Sequence, residues 1–206
     1  MGEGEESARG MNFHLRLADV CRRMREAKLQ LLIGLHDGAH FIETPNPVMV
    51  LSGFKSLGAA AVLLRPIGEA TVIVTPPWDA ERAAECCPDA SVWGANDIVA
   101  GILAKIERRM GADTATGIAC LRALPSQIAS DVTAALPQVR SADDIVFDAA
   151  RTKTTEEIAN ARAAARIAEL GYRHLLEIAR PGLSEDELAV ALKWQMKKRS
   201  APRTIS

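Results

Sequence analysis

The sequence predicts an α/β fold with a mixed sheet flanked by helices, followed by a helical segment. Up to about residue 140, short apolar runs that suit buried strands alternate with amphipathic stretches that suit helices. A Pro-Ile-Gly-Glu stretch at 66–69 separates two β-rich runs, which predicts a hairpin and hence one antiparallel pair in the sheet. No strand pattern occurs after residue 150, so we place a boundary within 142–154.

The composition is that of an ordinary globular protein. The chain has 206 residues, a formal net charge of −1, 48% apolar residues and 25% charged residues. These values exclude a disordered chain, a collagen-like chain and a nucleic-acid binder that relies on bulk positive charge. No uncharged apolar run approaches the roughly 18 residues of a membrane-spanning helix, and the acidic start lacks a secretory signal.

The cysteines indicate a reducing compartment, and we expect a cytoplasmic protein. The chain has four cysteines, two of them adjacent, and no C-x-x-C pair. A zinc knuckle or a redox dithiol therefore does not fit, and buried or idle thiols are expected.

The first elements are predicted from apolar periodicity. Residues 1–11 are expected to form a disordered tail. Residues 14–28 predict an amphipathic helix, because Leu17, Val20, Cys21 and Met24 recur at helical spacing. The apolar run 29–35 predicts a buried strand, and the run 48–54, which contains Val48, Val50 and Gly53, predicts a second.

The following elements are predicted from turn and cap residues as well as periodicity. Asn96 is expected to cap a helix whose apolar side chains are Ile98, Ile102, Ile106 and Met110. The remaining predictions, in chain order, are strands 59–65 and 70–75, helix 78–86, edge strand 90–93, strand 116–120, helix 126–136, a strand from residue 139 and helix 143–150.

Two capping boxes organise the C-terminal segment. Thr154 and Glu157 form a T-x-x-E pattern that opens a long helix running to about Arg180. Pro181 and Gly182 end this helix, and a second box then opens another. The second box is Ser184 with Glu187, and the apolar face that follows comprises Leu188, Ala191, Leu192 and Met196.

The search for chemistry leaves weak candidates. Neither a glycine-rich phosphate loop nor a G-x-S-x-G elbow occurs. His36, Asp37 and His40 could contribute imidazole and carboxylate ligands to a divalent metal, but no further close ligand is evident. The alternative is a polar loop at the carboxyl edge of the sheet, where ligands often approach. His174 and Glu177 predict a solvated helix face.

Two phrases in the sequence are similar to a known family. Residues 150–158 read A-R-T-K-T-T-E-E-I, and residues 179–188 read A-R-P-G-L-S-E-D-E-L. Both resemble, in order and spacing, the phrases that open the first and second helices of the catalytic domain in the pita-bread metallohydrolases aminopeptidase P, prolidase and creatinase. More loosely, V-L-S-G-F at 50–54 resembles the family's Y-L-T-G-F strand end, so the resemblance spans about residues 12–196.

The resemblance implies a creatinase-like N-terminal α/β domain at 12–141. Residues 142–206 would then be a linker helix and the truncated start of the α+β metallopeptidase domain. Family members hold two Mn, Co or Zn ions with two Asp, one His and two Glu, all beyond the second catalytic helix. No Asp, Glu or His of this chain matches those positions, so we expect no catalytic residue, no metal ligand and no cofactor here. The segment 198–206 also looks unlike what usually follows, which suggests a truncated sequence.

The expected function follows from that resemblance. The chain would be the non-catalytic N-terminal portion of a metal-dependent Xaa-Pro aminopeptidase or dipeptidase, inactive alone, with peptide substrates only for a full-length relative. It would act in dimerisation and active-site capping, with His36, Asp37 and His40 as the candidate loop at a partner's active site. The alternatives are a stand-alone interaction module and a fragment of a creatinase-like C–N hydrolase.

The C-terminal helices carry an expectation of their own. They contain six large apolar residues whose burial would be worth about 10 kcal/mol and which lack a partner sheet. We therefore expect these helices to dock on another copy or to stand away from the α/β domain. The six are Ile158, Ile167, Leu175, Leu188, Leu192 and Met196.

Overall fold

A computed structural model describes the backbone of residues 3–38, 45–107 and 114–200, and side chains for 15–38, 45–107 and 114–198. The chain divides into two compact units, Met1–Thr152 and Lys153–Ser206. No helix within the described ranges is long and apolar enough to cross a membrane.

The first unit is built on a six-stranded mixed sheet with the order β4-β3-β2-β1-β5-β6. The hairpin pair β2–β3 and the pair β1–β2 are antiparallel, and the other three neighbouring pairs are parallel. All six residues of β1 are buried, because β2 and β5 flank it and helices cover both faces. The strands are β1 Leu31–His36, β2 Ala60–Leu64, β3 Ala70–Val74, β4 Ser91–Gly94, β5 Thr116–Ala119 and β6 Arg140–Ser141.

Helices cover the sheet on both faces and form two apolar cores. One core joins the sheet to α1, α2, α3 and α6, and the other joins it to α4 and α5. This arrangement confirms the predicted α/β class with a mixed sheet. The helices are α1 Glu3–Glu26, α2 Pro47–Ser52, α3 Ala80–Cys86, α4 Ile98–Glu107, α5 Ser126–Ala135 and α6 Asp143–Arg151.

The β2–β3 connection is the predicted hairpin. Arg65 N–H donates to the Glu69 carbonyl at 2.9 Å, and Gly68 N–H donates to the Arg65 carbonyl at 2.9 Å. Gly68 has φ of 92°, a left-handed conformation that glycine adopts without strain. The Pro-Ile-Gly-Glu signal therefore identified both the pairing and its turn.

The segment 48–54, predicted as a strand, is instead the helix α2, and that prediction is wrong. The Asn46 side chain accepts hydrogen bonds from Val48 N–H at 2.9 Å and Met49 N–H at 3.1 Å, which caps the first turn. Pro47 occupies the first helical turn, and Gly53 ends the helix with φ of 72°. These end signals outweigh the β-branched residues between them, whose strand propensity is weak and context-dependent.

The cap of α4 differs by one residue from the prediction. Asp97, not Asn96, accepts the Ala100 N–H, at 2.7 Å through Oδ1. Ile98 and Ile102 are buried on the predicted face, whereas Met110 lies outside the described residues.

The first unit extends beyond both ends of the predicted domain 12–141. Helix α1 begins at Glu3, within the segment 1–11 that the sequence assigned to a disordered tail. At the other end, α6 buries Val146, Ala149 and Ala150 in the core, so the compact unit continues to Thr152.

The second unit consists of α7 Thr155–Ile178 and α8 Glu185–Ser200. Both predicted capping boxes are present. Glu157 Oε2 accepts Thr154 N–H at 2.8 Å while Thr154 Oγ1 accepts Glu157 N–H at 3.1 Å. Ser184 and Glu187 make the equivalent bonds at 2.8 and 3.3 Å.

The two helices of this unit meet at Gly171. A Cβ atom there would lie 2.9 Å from both Leu192 Cδ1 and Met196 Cγ, so a larger residue would require these two side chains to shift. Within the described part of the unit, Gly171 is also the only buried residue. Of the six apolar residues expected to lack a partner, Ile158 is 42% exposed and the other five are half-buried.

Candidate functional site

The candidate loop begins at the carboxyl end of β1. His36 is the last residue of this strand, lies opposite Ala60 of β2 and is 7% exposed. The Asp37 side chain is 5% exposed. His40, the third residue of the predicted group, lies outside the described residues. The structure therefore brings together two of the three predicted residues, and both lie at the sheet edge.

The His36 ring stabilises the turn that follows it. Its Nδ1 accepts the Gly38 N–H at 2.9 Å and lies 3.9 Å from Asp37 Oδ1. Because Nδ1 acts as an acceptor, the ring proton is on Nε2, which leaves Nε2 as the donor. A metal ion at Nδ1 would have to displace the Gly38 hydrogen bond.

This turn packs closely against the loop before β2, and that loop packs against the end of β3. A Cβ atom at Gly38 would lie 2.6 Å from the Gly58 carbonyl carbon, and one at Gly58 would lie 2.3 Å from the Thr75 carbonyl oxygen. Backbone segments can approach so closely only where side chains are missing. The turn after β1, the loop before β2 and the end of β3 therefore form one layered edge, which the sequence analysis missed although both glycines were visible.

A buried ion pair holds the middle segment of this edge. Asp79 is 1% exposed, and its carboxylate accepts hydrogen bonds from Arg82 Nε at 2.8 Å and Nη2 at 2.9 Å. The same carboxylate accepts Leu57 N–H at 3.3 Å, and Arg82 also donates to the Lys55 carbonyl at 3.0 Å. The D-x-x-R spacing at the start of α3 is the sequence signal for this pair.

A second connection lies at the end of β5. Cys120 has φ of 65°, uncommon for a residue with a side chain, and its N–H donates to Asp143 Oδ1 at 2.6 Å. Its thiol donates to the Pro45 carbonyl at 3.6 Å. Asp143, in the first turn of α6, therefore ties that helix to the end of β5.

The donor groups of the described residues do not form a metal centre. Among the described residues, no group of three or more His, Cys, Asp or Glu side chains is placed to hold a metal ion. His174 and Glu177 lie on one helix face with Nδ1 and Oε2 3.6 Å apart, and the glutamate is 74% exposed. The two-metal centre implied by the family resemblance therefore has no ligand set in the described ranges.

A cavity of about 710 Å³ lies at the opposite end of the central strands. Its lining includes Leu31, Leu63 and Thr71 of the sheet and Lys105 of α4. Since Leu31 begins β1 and His36 ends it, the cavity is separate from the candidate loop.

Comparisons with known proteins connect this architecture to one group of enzymes. No protein-family profile matches the sequence, and no curated protein matches it. Among solved structures, the prolidase of Pyrococcus horikoshii OT3 superposes with a TM-score of 0.70 at 19% identity, covering 90% of this chain and 49% of the enzyme. An Xaa-Pro dipeptidase from Bacillus anthracis gives a TM-score of 0.68 at 18% identity, covering 92% and 50%.

A single-domain structure matches as well. The N-terminal domain of the cytoplasmic peptidase PepQ from Mycobacterium tuberculosis H37Rv gives a TM-score of 0.51 at 16% identity, with 66% of this chain covering 98% of that domain. The chain thus has the fold of the N-terminal part of prolidases and Xaa-Pro peptidases, as the sequence resemblance predicted. It spans about half the length of the full enzymes that it matches.

Proposed function

We propose that the chain is the non-catalytic N-terminal portion of a metal-dependent hydrolase of the Xaa-Pro aminopeptidase or dipeptidase type. The observation that supports this proposal is the pattern of coverage. About nine-tenths of the chain follows the fold of a prolidase or an Xaa-Pro dipeptidase, but only about half of each enzyme is matched. Chemistry on the peptide bond then belongs to parts of the enzyme that this chain does not cover.

Two polar side chains at the sheet edge are engaged in structural contacts. No metal-binding group of three side chains exists in the described ranges, and His36 Nδ1 is engaged by Gly38 N–H. The carboxylate of Asp79 is engaged by Arg82 and Leu57, which ties a loop to a helix. These polar groups serve the architecture of the sheet edge.

The role that we propose for the candidate loop is to cap the active site of a partner subunit in a homo-oligomer. The loop is carried by β1, which is buried along its whole length. Its turn is braced by the His36–Gly38 hydrogen bond and by the stacked glycines. Such bracing suits a loop that must keep its shape when a neighbouring chain closes over it. We also propose a cytoplasmic location for this chain, as for the cytoplasmic peptidase PepQ. Peptides would be the substrates of the whole enzyme.

Activity and metal binding test this proposal. The purified chain is incubated with Mn²⁺ and an Xaa-Pro dipeptide, and free proline is measured. Equilibrium dialysis against Mn²⁺ and Zn²⁺ is run in parallel. We expect no turnover and no stoichiometric metal binding. Metal-dependent turnover, or one tightly held ion per chain, would contradict the proposal.

An interaction module is the second candidate, and the second unit favours it. Tyr172, Leu176 and Trp194 are exposed by 61%, 63% and 67%. Tyr172 and Leu176 are four residues apart on α7 and so share a helix face, and exposed apolar patches commonly mark surfaces that contact other proteins. Sedimentation of the purified chain tests this role, since a strict monomer at every concentration would contradict self-association.

A further inference from the structure

The outer edge of β4 lacks a neighbouring strand. Within the described ranges, the sheet order ends at β4, which pairs only with β3. An edge strand presents a row of backbone donors and acceptors that can pair with another chain. Which of these groups point outward follows from the hydrogen bonds on the inner side.

Two observed hydrogen bonds fix the direction of the β4 backbone groups. Thr75 N–H donates to the Ala59 carbonyl on the β2 side, and Ala95 N–H donates to the Val74 carbonyl, so residue 95 faces β3. Successive residues of a strand direct their N–H and C=O groups to alternate sides. Trp93 and Ser91 therefore bond toward β3, while the N–H and C=O groups of Val92 and Gly94 point to the open side.

This edge is short, at four residues, but it carries no charged residue and no proline that would block strand pairing. Ser91–Gly94 reads S-V-W-G, without a proline or a charged residue. Proteins commonly protect edge strands with lysine, proline or bulges. Trp93 is 44% exposed, and the Lys105 ammonium lies 3.7 Å from the centre of its ring on one side. The indole is thus held in place with part of its surface open.

We propose that β4 pairs antiparallel with β4 of a second copy of this chain. This inference rests on the homo-oligomer of the proposed function and assigns the surface that forms it. The outward groups of Val92 and Gly94 flank Trp93 symmetrically, so a two-fold axis at Trp93 places Val92 opposite Gly94 of the second copy. Each such pair exchanges two hydrogen bonds.

The Trp93 side chains are also compatible with a two-fold axis at this residue. With the axis at Trp93, the two Trp93 residues form a non-hydrogen-bonded pair, the position where side chains across an antiparallel ladder are closest. Aromatic pairs at such positions are favourable. The resulting sheet would be continuous across both copies and would cover the open edge of each β4.

A proline substitution tests the backbone bonds. Val92→Pro removes an outward N–H, whereas the inner bonds to β3 come from Ser91 and Trp93 and stay intact. Val92→Ala is the matched control, because it shortens the same side chain and keeps the N–H. Sedimentation velocity over a roughly hundredfold concentration range measures the dissociation constant. We expect self-association of the wild type, a dissociation constant raised about tenfold or more by Val92→Pro, and little change for Val92→Ala.

Disulfide trapping tests the register and keeps the inference falsifiable if Val92→Pro folds poorly. In a Cys86→Ser background, Trp93→Cys places two thiols at the axis, with Cα atoms about 4.5 Å apart. Ser91→Cys is the control, since its two thiols would be separated by four residues along the strands, roughly 13 Å. Oxidation should crosslink Trp93→Cys into a dimer and leave Ser91→Cys largely monomeric.

The outcomes separate this inference from the proposed function. A dimer that resists Val92→Pro and does not crosslink through Trp93→Cys would overturn the β4 pairing and leave a homo-oligomer through another surface. A wild-type chain that is monomeric at all concentrations would overturn the pairing and self-association together.

Discussion

The ion pair between Asp79 and Arg82 gives an asymmetric stability prediction. The Asp79 side chain is 0% exposed, whereas the Arg82 side chain is 41% exposed. Arg82→Ala leaves a buried carboxylate with only the Leu57 N–H, at 3.3 Å. Asp79→Ala leaves a guanidinium that still reaches water and keeps its bond to the Lys55 carbonyl. Removing the arginine should therefore cost more than removing the aspartate.

The magnitudes follow from that difference in exposure. Removing one partner of a fully buried ion pair costs about 3–5 kcal/mol. Because Arg82 is partly exposed, solvent screens the pair and water can enter the vacated space, which lowers the expectation to about 2–3 kcal/mol for Arg82→Ala. For Asp79→Ala we expect about 1–2 kcal/mol, mainly from lost charged hydrogen bonds. Arg65→Ala is the control, since the Arg65–Glu69 pair is 45% and 56% exposed and should contribute less than about 1 kcal/mol.

The assay must report on the first unit alone. The chain has three tryptophans, and Trp194 lies in the second unit, so all variants carry Trp194→Phe. Urea unfolding followed by the fluorescence of Trp78 and Trp93 then gives the free energy of unfolding of the α/β unit. The reasoning would be refuted if Arg82→Ala cost no more than Asp79→Ala, or no more than Arg65→Ala.

Three further predictions concern the cap of α2, the pH dependence of α1 and the thiols. Asn46→Ala should lower the free energy of unfolding by about 1 kcal/mol and Asn46→Asp by much less, because only alanine loses the acceptor for Val48 and Met49 N–H; equal losses in urea titrations would contradict the cap. Hydrogen bonds from Arg23 and, to a smaller extent, from Arg22 hold the pKa of Asp19 below its ordinary value. The Asp19 carboxylate therefore stabilises the fold at every pH above its unfolded pKa of about 3.9. This stabilisation is lost as the pH falls through the lower pKa of the folded state. Asp19→Asn should therefore be less stable than the wild type near neutral pH, by under about 1 kcal/mol, and the difference should close in acid; a gap that widens in acid would show the opposite sign. Burial raises the pKa of Cys21 and of Cys87, whereas Cys86 is exposed. Mass spectrometry after brief iodoacetamide treatment of the folded chain should therefore find Cys86 alkylated first. Early labelling of Cys87 would contradict the packing of α3.

Apolar periodicity, together with turn and cap residues, predicted most helices and strands of the first unit. The hairpin at 66–69, the edge strand β4 and the capping boxes of α7 and α8 all follow from local signals, and the structure confirms them. Local signals succeed there because the residues that make the turn or the cap also make its hydrogen bonds. In residues 48–54 two local signals disagree. The apolar pattern predicted a strand, whereas the residues at the two ends of the segment form the ends of a helix.

The candidate site was predicted only in part. His36 and Asp37 lie at the sheet edge where the alternation of strands and loops placed them. Their contacts with neighbouring segments were not predicted, because the close approaches of Gly38 to Gly58 and of Gly58 to Thr75 join residues far apart in the chain. A single sequence contains no signal for which distant glycines meet.

The sequence by itself determined the fold class, the two capped C-terminal helices and the resemblance to Xaa-Pro peptidases, since all three depend on residue types at short spacing. Only the tertiary structure decided that α6 completes the first core, that Asp79 is buried against Arg82, and that the backbone of Val92 and Gly94 faces outward at the sheet edge. These features depend on strand order and register. Order and register arise from the packing of the whole sheet against its helices, so no segment of the chain contains them alone.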